Sequence, residues 1–258
     1  GLCDYTSGST TQSGITKDAI DAFLFRDGKP KATTGLNKDD KAVKNANGDY
    51  SISHFLKNKD RRLELLVDSV LAFKGHGWIR NEPSPDAALP AQMTSSTGNT
   101  VYKYDTPQIE MTYRTSTVGC YTDNPHYWYS VILLNYAEAK AELGQLTDAD
   151  WALTVGALRA RAGITGGTAQ TGTLSTKPTS AEPYIAAYYP TVSDPVLLEL
   201  RREREIELSL EGFRLQDLKR WNACDLWVND PWEGIFIPAL NTPLDMNGDG
   251  TYDAYFYD

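Results

Sequence analysis

The stretch from Arg201 to Trp221, RREREIELSLEGFRLQDLKRW, constrains the fold of this chain more than any other part of the sequence. It is densely charged, yet apolar residues recur through it at helical spacing. On a helical wheel of residues 197–221, the apolar side chains leave a narrow polar sector that holds Arg201, Glu205, Ser209, Gln216 and Lys219. The sequence therefore predicts one charged helix, over residues 194–222, that contacts protein on most of its circumference.

Five further charged residues point between the apolar stripes of this wheel: Glu203, Arg204, Glu207, Glu211 and Arg214. Burying an unpaired carboxylate costs several kcal/mol, so we expect these groups to form buried ion pairs. The i,i+3 spacing suggests Arg204 with Glu207 and Glu211 with Arg214. A catalytic carboxylate pair or a metal site is the alternative, but no Glu-x-x-His accompanies the run and guanidinium groups would compete with a metal. We favour a structural ion network.

The glycine inside this run, Gly212, is costly in a helix interior. It predicts a close backbone contact or a kink.

Upstream, residues 128–163 predict a pair of helices joined by a short turn. WYSVILLNYAEAKAELG ends on Gly144, which suits the position after a helix. Thr147 and Asp150 have the spacing of a capping box at the start of the next helix, which Gly163 closes. A hairpin of about 34 residues is the size of one tetratricopeptide unit. The remainder consists of loops and short strands, a Thr/Gly/Ser/Pro-rich connection over 164–192 and an aromatic tail over 223–258.

Charge and cysteine content exclude several classes of function. The chain has 25 basic and 34 acidic residues, a net charge of −9, which argues against nucleic acid or an anionic membrane surface as partner. Its three cysteines form no CxxC pair, so they indicate neither a disulfide framework nor a zinc site. No apolar run has the length of a membrane span, and we expect no secretory leader in this chain. No nucleotide-binding or nucleophile motif occurs, and we expect no organic cofactor.

The charged run resembles the C-terminal signature of the RagB/SusD family. LLNYAEAKAELG and ALRARAGI resemble the helix pair of that family, and DGKP and NKDRRLELLV resemble its upstream stretches. The resemblance runs from about residue 20 to 222, in the expected order. The chain departs from the pattern at Arg61, where a proline is usual, and at Trp128 and Val131, where an Arg and a Glu are usual.

This resemblance implies a mostly α, SusD-like helical fold with one tetratricopeptide-like hairpin, large irregular loops and a few short strands, as a single domain over 1–258. It implies non-catalytic binding of oligosaccharides at the outer membrane, exposed on the cell surface, and their delivery to a SusC-like TonB-dependent transporter. The chain resembles the C-terminal half of such proteins, so the N-terminal half is a further expected partner. Cys3 has no leader before it, and we do not expect the lipid anchor in this chain.

Aromatic side chains in turn-rich segments are the candidates for sugar binding, because an aromatic ring offers an apolar face with a polar edge. Trp78 and Tyr121 come first, and Tyr113, Arg80 and Asn81 follow as a further ring and as groups for sugar hydroxyls. The alternative for each ring is burial in the core or under a loop.

The tail segment DMNGDGTYD resembles an EF-hand-like calcium loop. The candidate ligands are Asp245, Asn247, Asp249, Thr251 and Asp253. Position 12 of such a loop is Phe256 here, where a glutamate would be needed. A calcium site and a tight Asx-rich turn without metal both remain open.

Two other functions compete with glycan binding. A carbohydrate-active enzyme would need two carboxylates facing a cleft, and turnover of a glycan would reveal it. A helical scaffold without a small ligand would bind no glycan while still associating with a partner barrel.

Overall fold

The computed structural model describes residues 14–41, 43, 44, 46, 50–69, 97, 99, 101, 103, 127–229, 232–234, 241, 243, 244, 254 and 255. Within these residues the chain is mostly helical, and its strands form two short antiparallel hairpins. The predicted fold class, a helical SusD-like fold with few strands, is confirmed. No helix of the described part is long and apolar enough to span a membrane.

The elements follow one another along the chain as α1 Lys17–Ala22, β1 Val43–Lys44, β2 Tyr50–Ser51, α2 Ser53–Leu56, α3 Arg61–Leu66, α4 Tyr129–Glu142, α5 Asp148–Trp151, a π-helical turn Ala152–Gly156, α6 Ala157–Arg161, α7 Pro183–Tyr188, α8 Pro195–Glu207, α9 Arg214–Arg220, α10 Asp225–Asn229, β3 Pro243–Leu244 and β4 Ala254–Tyr255. Val43 pairs with Ser51 in the first hairpin, and Pro243 pairs with Tyr255 in the second.

The predicted helix pair is present as α4 followed by the continuous helical stretch from α5 to α6. Gly144 follows α4 with a φ of 65°, and Thr147 and Asp150 form the predicted capping box. The π-helical turn was not predicted. It ends at Gly156, where a Cβ atom would lie 2.0 Å from the carbonyl oxygen of Leu174, so glycine lets the following loop cross the helix closely.

The single charged helix predicted over 194–222 is wrong, because the structure has two helices there. α8 begins after Asp194, whose side chain accepts from the Val196 N–H at 2.8 Å, and ends at Glu207. Leu210 and Gly212 then adopt φ values of 62° and 83°, in the left-handed region that favours glycine. Gly212 therefore separates two helices rather than bending one.

The wheel consequently misplaces several side chains on both sides of this break. Leu210 and Leu215, predicted on apolar stripes, are 47% and 40% exposed. Arg201, predicted in the polar sector, is buried. Its guanidinium group lies 4.7 Å from the ring centres of both Tyr189 and Trp221.

Helix α8 is central because it contributes to three hydrophobic clusters. Ile206 packs in the cluster of α1–α3, and Leu198 packs with Ile185 and Tyr189 beside α7. Its remaining apolar side chains, led by Leu200, join the cluster of α4–α6. A helix enclosed in this way must satisfy its charges internally.

The connection over 164–192 was predicted to be irregular, but it contains α7 and is tightly packed. The Trp151 Nε1–H donates to the Thr173 carbonyl at 2.8 Å. At Gly28, with a φ of 72°, a Cβ atom would lie 2.3 Å from the Gly166 carbonyl oxygen. The connection therefore packs against the helix pair at Trp151 and against the DGKP turn at Gly28.

Candidate functional site

Buried ion pairs surround α8 and account for most of the charge in the run from Arg201 to Trp221. Glu203 accepts from Arg62 Nη1 at 2.6 Å and from Arg159 Nε at 2.8 Å. Glu199 lies 2.8 Å from Arg159 and 3.0 Å from Arg202. Burial would raise the pKa of Glu203, but the guanidinium groups of Arg62 and Arg159 outweigh it and hold that pKa below its usual value. Each carboxylate oxygen of Glu199 and Glu203 is bonded to an arginine.

The side chains of Glu207 and Glu211 are also buried, as the wheel suggested, but their partners are not those predicted. Glu207 bonds to Arg62 Nη1 at 2.7 Å and to Arg161. Glu211 bonds to Lys103 Nζ at 2.6 Å.

The predicted partners of these carboxylates bind elsewhere. Arg204 donates to both carboxylate oxygens of Asp217, at 2.9 and 3.0 Å. Arg214 pairs with Glu205 at 3.0 Å. The i,i+3 pairs do not form: Arg62 and Arg161 bind Glu207, and Lys103 binds Glu211, which lies beyond the end of α8.

Helix α4 is joined to α9 by a second group of ion pairs. Glu138 receives Arg220 Nη1 and Nη2 at 2.5 and 2.6 Å and Trp221 Nε1 at 2.7 Å, and Arg204 lies at 3.4 Å. Three of the stretches that carry the family resemblance thus each supply a partner to the charged run, through Glu138, Arg161 and Arg62. The resembling residues form a scaffold.

An open cleft of about 240 Å³ lies beside this scaffold, between α1, α7, α9 and α10. Its aromatic lining comes from Tyr184 and Tyr188 on α7, from Trp227 on α10 and from Trp232 after it. We call this site the aromatic cleft. It is the best candidate binding site in the described part of the chain, because it combines exposed rings with charged side chains.

The two tryptophans present open indole surfaces with a fixed relative orientation. Trp227 is 47% exposed and Trp232 is 67% exposed. Their ring centres are 5.9 Å apart at an interplanar angle of 74°, and Trp232 Nε1–H donates to the Trp227 carbonyl at 3.4 Å. An edge-to-face pair of this kind leaves ring faces free to pack against a ligand.

The two tyrosines of α7 form another part of the lining. They stand one helical turn apart, with ring centres 5.1 Å apart. The Tyr184 hydroxyl lies 3.3 Å from both the Tyr188 hydroxyl and the Asp18 carbonyl. Burial, with the carboxylates of Asp18, Asp21 and Glu205, raises the pKa of Tyr184, so this hydroxyl stays protonated and can donate.

Charged groups in the cleft are Asp18, Glu205 and Arg214. Arg214 donates to the Tyr189 hydroxyl at 3.0 Å while it pairs with Glu205. Burial would lower the pKa of Arg214, but Glu205 outweighs it and raises that pKa. Asp18, in the first turn of α1, forms no side-chain hydrogen bond or ion pair within the described residues. The cleft therefore offers apolar faces together with a free acceptor.

The sequence-predicted ligand residues, Trp78, Tyr121, Tyr113, Arg80 and Asn81, lie outside the described residues. So do the calcium candidates of the tail, Asp245, Asn247, Asp249, Thr251 and Asp253. Within the described ranges, no cluster of three or more His, Cys, Asp or Glu side chains could hold a metal ion.

Sequence reasoning missed the aromatic cleft, although two signals of it were present. Tyr184 and Tyr188 have i,i+4 spacing inside a segment that was read as a loop. Trp227 and Trp232 belong to a tail already described as aromatic. The sequence alone does not show that α1, α7 and α10 pack around one opening.

Comparison with known proteins gives one match. No curated protein and no solved structure matches the chain. The model of the SusD family matches residues 4–249. Members of this family bind glycans without catalysing their conversion and are associated with the outer membrane. Since the match spans nearly the whole sequence, this chain belongs to the SusD family.

Proposed function

We propose that this chain binds oligosaccharides at the bacterial cell surface, leaves them chemically unchanged and passes them to a SusC-like TonB-dependent transporter in the outer membrane. The observation that carries the proposal is the family match over residues 4–249. The aromatic cleft supports it independently, since its lining suits a ligand with apolar faces and a polar rim.

The physics of sugar recognition makes the tryptophans the main determinants of affinity. A sugar ring has an apolar C–H face and a rim of hydroxyls, and water competes well for the hydroxyls. A hydrogen bond therefore adds only about 0.5–1.5 kcal/mol. Covering about 55 Å² of apolar surface at ~25 cal/mol per Å² adds about 1.4 kcal/mol, or tenfold in affinity. We expect Trp227 and Trp232 to supply this surface.

A non-catalytic role is supported by the state of the carboxylates. Glycosidases need one carboxylic acid whose pKa is raised, so that it can protonate the leaving group. Glu203 has a lowered pKa and lies buried between two arginines. In the cleft itself, Glu205 is held by Arg214. We expect no hydrolysis.

Two sets of residues remain proposals from the sequence. Trp78 and Tyr121, with Tyr113, Arg80 and Asn81, are proposed as a second sugar platform, for which Trp78→Ala is the test. Asp245, Asn247, Asp249, Thr251 and Asp253 are proposed as a calcium loop. A calcium titration that raises the melting temperature of the wild type but not of Asp249→Ala would support that site.

A glycan array with the purified chain tests the central proposal. We expect a set of oligosaccharides to bind and to be recovered intact by chromatography. Trp232→Ala should weaken the best of them at least about tenfold. Tyr127→Ala is the matched control, because Tyr127 is 92% exposed and lies outside the cleft lining. An array without any binder, or product released from a bound glycan, would contradict the proposal.

The transporter is tested separately. Co-purification of a TonB-dependent barrel with the tagged protein from native membranes is expected. If no barrel co-purifies while glycan binding is intact, delivery to a transporter is wrong and the proposal of glycan binding stands.

A further inference from the structure

We propose that the aromatic cleft selects glycans by charge: it accepts uncharged and amino sugars and rejects sugars that carry carboxylate or sulfate groups. The inference rests on the proposed function, because it concerns the ligand of the same cleft. It derives from the arrangement of charges around the lining.

Inside the lining, one negative charge is left without a partner. Glu205 and Arg214 lie 3.0 Å apart and neutralise each other. Asp18 is the remaining charged group of the lining, and its carboxylate is not bonded within the described residues. A carboxylate only accepts hydrogen bonds, so it can bind a hydroxyl or an ammonium group but not another anion.

The charges flanking the cleft add to this negative field. Lys17 Nζ lies 2.7 Å from Asp21, and the Lys17 N–H donates to the carbonyl of Glu233, the residue after Trp232. The hydrogen bond to Asp21 and the negative charges of Asp21, Asp18 and Glu233 raise the pKa of Lys17 despite its partial burial.

Among these described residues of the lining and its flank, the carboxylates of Asp18, Asp21, Glu205 and Glu233 face the two cations Lys17 and Arg214, which leaves two more negative than positive charges in this set. Lys31 lies 3.6 Å from Asp21, but it is also bonded to Asp40, so the Lys31–Asp40 pair adds no net charge.

The same negative charges affect the pKa of Tyr184, which lines the cleft. After burial, the charges that raise its pKa are those of Asp18, Asp21 and Glu205, which lie on two different helices. Since Glu205 is paired with Arg214, the unpaired negative charge lies on the α1 side of the opening, and an anionic sugar that enters the cleft meets repulsion there.

Size adds a second constraint on the ligand. A volume of about 240 Å³ is below the ~300–1,000 Å³ typical of pockets for drug-sized molecules. The cleft suits one or two sugar rings at a chain end. A carboxylate on a ring held inside the cleft shares this small volume with Asp18.

The test uses an array of neutral oligosaccharides, each printed beside a counterpart whose primary hydroxyls are oxidised to carboxylates. At low ionic strength, where the Debye length is about 30 Å at 0.01 M, the wild type should bind the neutral member of each pair more tightly. Asp18→Asn should raise the affinity for oxidised members relative to neutral ones by about three- to tenfold, the size of one Coulomb interaction over several ångströms. Glu142→Gln changes the net charge equally on an exposed part of α4 and should leave the ratio unchanged.

Each outcome separates this inference from the proposed function. If wild type binds oxidised glycans as tightly as neutral ones, or if Asp18→Asn leaves the ratio unchanged, charge selection is wrong while glycan binding stands. If binding is insensitive to Trp232→Ala, the ligand lies outside the cleft and the inference fails. If nothing on the array binds, the proposed function fails with it.

Discussion

The ion network around α8 and the aromatic cleft beside it differ in whether their side chains are still available to bind a ligand. In the network, Glu203 and Arg159 are buried and bonded to each other. In the cleft, Trp232 is largely exposed and the Asp18 carboxylate has no bonded partner within the described residues. Charge density therefore marks the scaffold of this protein, and open aromatic surface marks its binding site.

The largest effect should come from breaking the network. Arg159→Met leaves Glu199 and Glu203 without one of their cations in a buried position, which costs about 3–5 kcal/mol of unfolding free energy. Arg161→Met is the matched control: it also loses an ion pair, but its side chain is 59% exposed, and we expect less than about 1 kcal/mol. Urea unfolding compares the two. Equal stability of both variants would show that burial does not govern the network.

The next effect comes from a buried lysine that is bonded to backbone carbonyls. Lys59 is fully buried and donates to the carbonyls of Ile20 and Phe23, each at 2.9 Å. Burial lowers its pKa from 10.5 to about 7. Between these values the unfolded chain binds more protons than the folded one, so the unfolding free energy should rise with pH, by up to about 1.4 kcal/mol per pH unit.

Lys59→Met is the control for this prediction. Its unfolding free energy should rise less between pH 7 and 10 than that of the wild type. Parallel pH profiles would mean that Lys59 keeps its charge through the two carbonyls and the neighbouring Phe25 and Phe55 rings.

A smaller effect, confined to binding, is expected in the cleft. Trp232→Ala should lower glycan affinity about tenfold and leave the melting temperature nearly unchanged, because the side chain is already 67% exposed. Calorimetric titration and a thermal melt of the same sample measure both quantities. If the variant unfolds, Trp232 belongs to the scaffold and not to the binding site.

Local features of this fold were predictable and distant ones were not. The capping box of Thr147 and Asp150 and the glycine after α4 follow from neighbouring residues alone. The break after Glu207 was missed because the wheel assumed a continuous helix through Leu210 and Gly212, although a glycine there was a visible warning.

Partners and sites depend on contacts between segments far apart in the chain. Arg62 bonds to Glu203, which lies 141 positions later in the sequence, and no rule of sequence spacing predicts such a pair. The cleft likewise unites Asp18, Tyr184 and Trp232. The sequence shows that these side chains are aromatic or acidic, but only the packing of α1, α7 and α10 shows that they share one opening.

The most direct test of the account is a crystal of this chain soaked with the tightest oligosaccharide from the array. We predict a sugar ring packed against Trp227 or Trp232, within about 4 Å of the indole atoms, the distance of apolar contact. A ring hydroxyl should donate to Asp18, and the Glu203 ion pairs should be unchanged. Sugar density away from the aromatic cleft, with the cleft empty, would contradict the account.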